Sequence, residues 1–300
     1  MKAAYFYCVG GFIFSVVTDR AVDIDRLLPS FVPFRCDGAE ESPRLLFRLA
    51  VHPVSSVAGE AAGRLLDEMA NDMGHTCLYA ADGGYRMDIR YGSRGKLHRL
   101  YAASGFTQAE ALLCRDDACA GEVLCSMLRM VYSQAVLGRD AVSVHASVVC
   151  AGRRAYLFMG KSGTGKSTHA SLWLKHIPGS WLLNDDNPIV RIEEGAAYAY
   201  GSPWSGKTPC YKNRRLPVGG MVRLCQAPAN RFVAQSDVDA FITLLPGCSA
   251  IRQDARLYDA LCATLASLAG CVPVGVLHCR PDKEAAILCF NSMNKMIGIE

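Results

Sequence analysis

Gly160-Lys161-Ser162-Gly163-Thr164-Gly165-Lys166-Ser167 sets a run of glycines just ahead of a lysine and a hydroxyl. Glycines in this spacing let consecutive backbone N–H groups turn inward around a polyphosphate, and a helix that starts directly afterwards aims its positive end at the same anion. In such a phosphate-cradling loop Lys166 reaches the β and γ phosphates, Ser167 offers its hydroxyl to Mg²⁺, and Gly160, Lys161, Ser162, Gly163, Thr164, Gly165 and Thr168 complete the cradle. The chemistry implied is the binding of a nucleoside triphosphate.

Carboxylates that hold the metal or accept a proton usually stand where an apolar strand ends. Asn184-Asp185-Asp186 after Trp181-Leu182-Leu183 has that form, with the two tasks left undivided between Asp185 and Asp186. Neighbouring strand residues point to opposite faces, so both acids reach one ligand only if the chain bends after Asp185; the Asn187-Pro188 step is where a bend is expected. The alternative is a polar turn that merely caps the strand.

A histidine enters through register. Ala141 to Cys150 alternates, with Val142, Val144, Ala146 and Val148 on one side and Ser143, His145 and Ser147 on the other, which predicts a strand with one polar face. If Gly152-Arg153 turns this strand back on the next, Ala151 opposes Arg154 and His145 falls across from Gly160, or from Met159 if the count slips by one. The imidazole then lies beside the phosphate loop, where structural and functional readings are both open. Further cations follow in Gly206-Lys207-Thr208 and at Lys212, Arg214 and Arg215. Lys207 is assigned a catalytic role in steadying transition-state charge, and Arg214 and Arg215 are read as a solvated basic loop.

The elements that must position these groups are legible around them. Ala155 to Met159 predicts a strand feeding the loop, and Thr168 to Lys175 a helix stopping at Pro178-Gly179. Gly121 to Leu137 predicts an amphipathic helix, and Ile189 to Ile192 with Ala196 to Tyr200 a hairpin. Beyond these, a strand from Met221 to Gln226, a helix-rich stretch to Gly270, a strand from Val272 to Cys279 and a closing helix from Pro281 are expected. Residues 1–118 read as a β-rich domain with strands at Tyr5 to Val17 (a hairpin about Gly10-Gly11), Leu45 to Val51, Cys77 to Ala80, Tyr85 to Tyr91 and Leu97 to Ala102. A helix is expected between Gly59 and Met73, where Ala61, Leu65, Leu66 and Met69 recur at helical spacing; residues 119–300 form the nucleotide-binding domain. His52, His75, His98 and His278 are read as surface or structural histidines.

A chain of 300 residues, 51% hydrophobic and 20% charged, has the composition of a soluble globular protein, and a formal charge of +4 spread along it argues against nucleic acid as a partner. Fourteen cysteines without any C-x-x-C pair argue against a zinc site or a disulfide framework and for reduced, buried thiols in a cytoplasmic protein. The apolar stretch Ala3 to Val17 has the length of a signal-peptide core, but its aromatic and β-branched residues about Gly10-Gly11 suit a hairpin instead, and no run suits a membrane.

Together, Ser143-Val144-His145-Ala146-Ser147, the phosphate loop some fifteen residues later, and Asp185-Asp186 after a further apolar strand resemble the catalytic core of HPr kinase/phosphorylase and its kinase-like relatives. That core is similar in fold to the nucleotide domain of phosphoenolpyruvate carboxykinase. The resemblance spans about residues 120–200 and extends weakly through Pro273 to Leu288. It implies an α/β P-loop kinase domain with a mixed sheet, here preceded by the β-rich region, and assembly into a homo-oligomer. It also implies His145 beside the phosphates, Lys166 and Ser167 on nucleotide and Mg²⁺, and Asp185 with Asp186 as metal ligand and base. The downstream signature of HPr kinases is missing, and the N-terminal half does not read like their regulatory domain, so HPr itself is not the expected acceptor. The Gly201 to Tyr211 loop looks more like that of kinase-like members that resemble enzymes phosphorylating free serine or a peptide.

The function expected is an ATP-dependent kinase that transfers the γ-phosphoryl group to a hydroxyl of a protein, peptide or small molecule. No N-K-x-D guanine-reading motif is present, which favours ATP. Two alternatives stand beside it: a carboxykinase-like lyase, for which His169 and His176 fall where a helix should be, and a nucleotide-holding sensor or scaffold without turnover.

Overall fold

Strand β1 (Lys2–Val9) turns into β2 (Phe12–Asp19) through Gly10 and Gly11, both at positive φ (58° and 79°), as a two-residue hairpin turn requires. The computed structural model describes residues 1–38, 45–57, 63–71, 74–92, 95–206 and 208–298. Its contacts fall into two units, Met1–Ala135 and Val136–Glu300, and the architecture is α/β with mixed sheets.

The first unit continues with α1 (Ile24–Leu27), β3 (Leu45–Val54), β4 (Arg64–Asn71), β5 (Gly74–Ala81), β6 (Gly84–Tyr91), β7 (His98–Ala103), β8 (Gln108–Cys114) and α2 (Ala120–Ala135). Its strands run in the order β1-β2-β3-β8-β7-β6-β5-β4, with β3 parallel to β2 and β8 and the other neighbours antiparallel. Helix α2 packs on β3, β6, β7 and β8, and its Tyr132 hydroxyl donates to the Val9 carbonyl at 2.9 Å. The contacts therefore group α2 with the first unit, whereas the sequence boundary stands at 118/119. His98 is fully buried, accepting from the Cys114 amide on Nδ1 (3.1 Å) and meeting Asp117 through Nε2 (3.1 Å), a satisfied structural histidine.

The helix expected between Gly59 and Met73 is not formed over Arg64–Asn71, which is strand β4 paired with β5; Ala61 lies outside the described residues. Leu65 and Met69 are 47% and 58% exposed, so their helical spacing marks no buried face. With no apolar stripe to bury, the backbone ladder offered by β5 decides the conformation.

The second unit holds β9 (Ala141–Ser143), β10 (Ala146–Ala151), β11 (Arg154–Met159), α3 (Lys166–His176), β12 (Trp181–Asp186), β13 (Ile189–Glu193) and β14 (Ala196–Tyr200). After these come β15 (Arg215–Gln226), β16 (Arg231–Gln235), α4 (Asp237–Leu244), α5 (Ala255–Cys271), β17 (Val274–Cys279) and α6 (Lys283–Met296). Arg231–Gln235 is thus a strand inside the stretch expected to be helical; it pairs with β17. The long strand β15 serves two neighbourhoods: Arg215 to Pro217 pair with β14, and Val218 onward lies parallel to β11 and β17.

Alternation along β10 and β11 then fills two cores. Val148, Ala155, Leu157 and Met159 face Leu244, Leu261 and Leu265 of α4 and α5. Val149, Tyr156 and Phe158 face Trp173 of α3 and Cys289 and Met293 of α6. None of the fourteen cysteines is in a disulfide, and burial pushes the Cys150 and Cys248 thiols up to about 12, which makes them inert apolar groups. No helix of the described residues is long and apolar enough to cross a membrane.

Helix α3 carries a titratable group in its core. His169 is buried against Phe158 and accepts a hydrogen bond on Nε2 from the Trp173 indole at 3.1 Å. Burial lowers its pKa from 6.5 to about 4. Below pH 6.5 the unfolded chain takes up a proton that the folded chain refuses, so stability falls as pH drops toward 4 and is unaffected above 6.5. Denaturant unfolding should lose about 2–3 kcal/mol from this group between pH 6.5 and 4.5, a component missing from His169→Gln, whose amide oxygen still accepts from the indole.

Candidate active site

The loop after β11 takes the conformation its glycines allow. Gly163 and Gly165 have φ of 77° and 102°, and an added Cβ would meet nothing within 4 Å at either, so backbone conformation alone demands glycine there. The Thr164 amide and hydroxyl both donate to the Lys161 carbonyl (3.1 and 2.6 Å), which closes the turn, and α3 starts at Lys166. The Lys166 ammonium tucks under the loop, donating to the carbonyls of Gly160 (3.0 Å) and Lys161 (3.3 Å). Burial lowers its pKa, opposed by the charges of Asp186 and Asp185, so both aspartates act on one cation. Gln226 at the end of β15 donates to the Gly163 carbonyl at 3.4 Å.

Strand β12 runs through Asp186 and ends at the Asn187-Pro188 step. Val148 pairs with Asn184 and Val149 with Leu182, which leaves Leu183 as an extra residue ahead of the acids, a bulge that bends and twists the strand locally. Beyond it Asp185 opposes Ser147 and Asp186 opposes Ala146 in regular register, so the two carboxylates stay on alternate sides of the strand end and meet different partners.

Asp185 is nearly buried, at 4% exposure, and accepts on Oδ1 from the Ser147 hydroxyl and from Ser167 Oγ at 3.1 Å. Asp186 is more open: Asn187 Nδ2 donates to its Oδ2 at 2.7 Å, and His145 Nε2 stands 3.4 Å from its Oδ1. Two oxygens on neighbouring corners of an Mg²⁺ octahedron lie about 2.9 Å apart. The Ser167 and Asp185 oxygens, hard donors 3.1 Å apart, fit that ion.

His145 reaches this place because the single strand expected from Ala141 to Cys150 is in fact two. Strand β9 pairs with β13, β10 with β11 and β12, and between them the Val144 amide donates to Pro188 (3.0 Å) and the His145 amide to Gly247 (2.7 Å). The hairpin register is the one counted from Gly152-Arg153: Ala151 opposes Arg154 and Ala146 opposes Met159. On the polar face the two serines are buried, the Ser147 hydroxyl donating to Asp185 and that of Ser143 to Asn187 Oδ1 at 3.2 Å, while the His145 side chain between them stays partly exposed.

Lys207 lies outside the described residues. The loop before it is fastened to the acids through Asn184, which is fully buried and donates to the carbonyls of Ser202 (3.2 Å) and Trp204 (3.3 Å) and accepts from the Asn187 amide (3.1 Å). The Gly206 amide also donates to the Asp185 carbonyl, and a Cβ at Gly206 would come within 2.8 Å of that oxygen. The other basic residues are tied down: Lys212 donates to the Leu182 carbonyl (2.6 Å) and lies over Trp181, Arg214 lies over the same ring, and Arg215 pairs with Glu193 and the Tyr200 hydroxyl. Sequence reasoning gave no functional role to Asn184, Ser147, Asn187 or Gln226. The first two carry a signal, a polar residue in an otherwise buried strand beside a motif.

No family model matches this sequence, and no curated protein matches it. Among solved structures it is similar to the Hpr(Ser) kinase/phosphatase from Coxiella burnetii, at 13% identity over 52% of this chain and 93% of that one, with a TM-score of 0.31. A likeness of that degree carries no argument about activity.

Proposed function

We propose that this chain is an ATP-dependent phosphotransferase that passes the γ-phosphoryl group to a hydroxyl. The reading rests on one observation: Lys166, Ser167, Asp185, Asp186 and His145, from three separate stretches of sequence, meet at the phosphate loop.

In this reading the loop amides and Lys166 hold the β and γ phosphates, released from the carbonyl contacts the ammonium makes in the free chain. Ser167 and Asp185 would hold Mg²⁺, which when bound offsets charge on the β and γ oxygens. Asp186 Oδ1 takes the proton of the acceptor hydroxyl while that oxygen forms its bond to the γ phosphorus and the bond to the ADP oxygen breaks. Asn187 fixes the other carboxylate oxygen, so Oδ1 keeps its aim, and His145 flanks it. Buried Asp185, by contrast, is already engaged by two hydroxyls and has no access to an acceptor.

Incubating the full chain with γ-labelled ATP, Mg²⁺ and a panel of free serine, serine peptides and hydroxylated small molecules should move label onto an acceptor, and only with the metal present. Tight ATP retention without transfer or hydrolysis would overturn the proposal in favour of a nucleotide-holding sensor. Carbon dioxide release from oxaloacetate with Mn²⁺ would do so in favour of a lyase.

A further inference from the structure

Hairpin β4–β5 in the first unit gathers three metal-binding side chains that the phosphate chemistry does not use. Glu68 and Cys77 are directly opposed in the β4/β5 register, and His75 stands two residues before Cys77 on the same strand. Side chains alternate along a strand, so all three project from one face. His75 Nε2 is their meeting point, 2.6 Å from Glu68 Oε1 and 3.5 Å from Cys77 Sγ, and the three donor atoms lie within 4.8 Å of one another.

Those separations suit a tetrahedral ion. Zinc binds imidazole nitrogen at about 2.0–2.1 Å and thiolate sulfur at about 2.3 Å, which places the two donors about 3.5 Å apart at a tetrahedral angle. The nitrogen and sulfur already stand at that distance. The carboxylate oxygen has to move outward by less than about 1 Å, a small adjustment for an exposed glutamate. Sulfur, nitrogen and oxygen together select Zn²⁺ and its soft-to-borderline neighbours over Mg²⁺, which prefers oxygen alone.

Burial supports entry from one side. Cys77 is 8% exposed, whereas the side chains of Glu68 and His75 are about half exposed, so the fourth coordination position opens to solvent. Asp88 faces Cys77 from β6, but its carboxylate is committed to the Arg99 guanidinium through two bonds of 2.7 and 3.0 Å. We infer that Glu68, His75 and Cys77 form a three-ligand site for a Zn²⁺-class ion, with water as the fourth ligand. Cys77 binds as thiolate, its proton leaving to solvent as the metal–sulfur bond forms.

The test uses the full chain, reduced and stripped with a chelator, titrated first with Co²⁺ as a spectroscopic stand-in and then with Zn²⁺. One equivalent of Co²⁺ should give thiolate-to-cobalt absorption in the near ultraviolet and tetrahedral bands in the visible, both erased by one equivalent of Zn²⁺. Cys77→Ser should abolish the near-ultraviolet band, and His75→Gln and Glu68→Gln should each weaken Zn²⁺ binding roughly tenfold or more. Unchanged circular dichroism and MgATP binding in the variants separate loss of the site from loss of the fold. Absence of cobalt bands in the native chain overturns the inference. So does a near-ultraviolet band that survives in Cys77→Ser, since the ion would then sit on other cysteines. If Cys77→Ser fails to fold, the exposed His75 decides, and His75→Gln with native Zn²⁺ affinity rejects the site.

Discussion

Asp186→Asn is expected to bind MgATP as tightly as the native chain and to transfer phosphate about a thousandfold more slowly. A positioned general base contributes roughly 10²–10⁴ in rate, which at about 1.4 kcal/mol per tenfold raises the barrier by about 3–5 kcal/mol. The substitution is close to isosteric, and its amide oxygen can still accept from Asn187 Nδ2, so the side chain keeps its place while losing its basicity. Asp185, which holds the Ser167 hydroxyl, is untouched, as are Ser167 and Lys166, so the groups assigned to metal and phosphate all remain. Single-turnover transfer from labelled ATP, read beside an equilibrium binding titration, separates the two quantities. A transfer rate within a few fold of native would remove Asp186 from the role of base, and with it the assignment of two distinct tasks to two adjacent carboxylates.

Where a conformation is set by consecutive residues, the chain could be read directly. The glycine-rich turn before α3 needs only its own spacing, and the turns Gly10-Gly11 and Gly152-Arg153 set their hairpin registers locally, which is why counting outward from Gly152 brought His145 level with that loop. What could not be read depends on partners remote in sequence. The break at Val144–His145 leaves no trace in the pattern, because β9 and β10 are both buried and the alternation runs on although the strands pair with different neighbours. The bulge at Leu183 exists only against β10, and Asn184 acquires its function from a loop some twenty residues later. Strand β4 misled for the opposite reason: Leu65, Leu66 and Met69 have helical spacing, but helical spacing specifies a helix only when the stripe it makes is buried.

Lys166→Met should dissociate two properties that normally fall together, leaving the free chain as stable as before while nucleotide affinity drops about a hundredfold. The ammonium is desolvated beneath the loop, and its lowered pKa means that burial costs it more than Asp186 and Asp185 return. An apolar chain of similar length removes that desolvation cost along with the attraction to the two aspartates and the two carbonyl bonds, and these opposing changes should nearly cancel in the free chain. Phosphate loses more, since one or two charge-assisted hydrogen bonds at about 1.5–3 kcal/mol each disappear, and about 3 kcal/mol corresponds to roughly a hundredfold in affinity. Ligand binding stabilises in proportion to the logarithm of saturation, so MgATP should raise the melting temperature of the native chain and barely move that of Lys166→Met at the same concentration. A free variant that melts well below native would mean that Lys166 braces the loop structurally. A variant with full MgATP stabilisation would mean that the phosphates are gripped elsewhere, and the convergence of Ser167, Asp185 and Asp186 on this lysine would then belong to the folding of the chain and not to its chemistry.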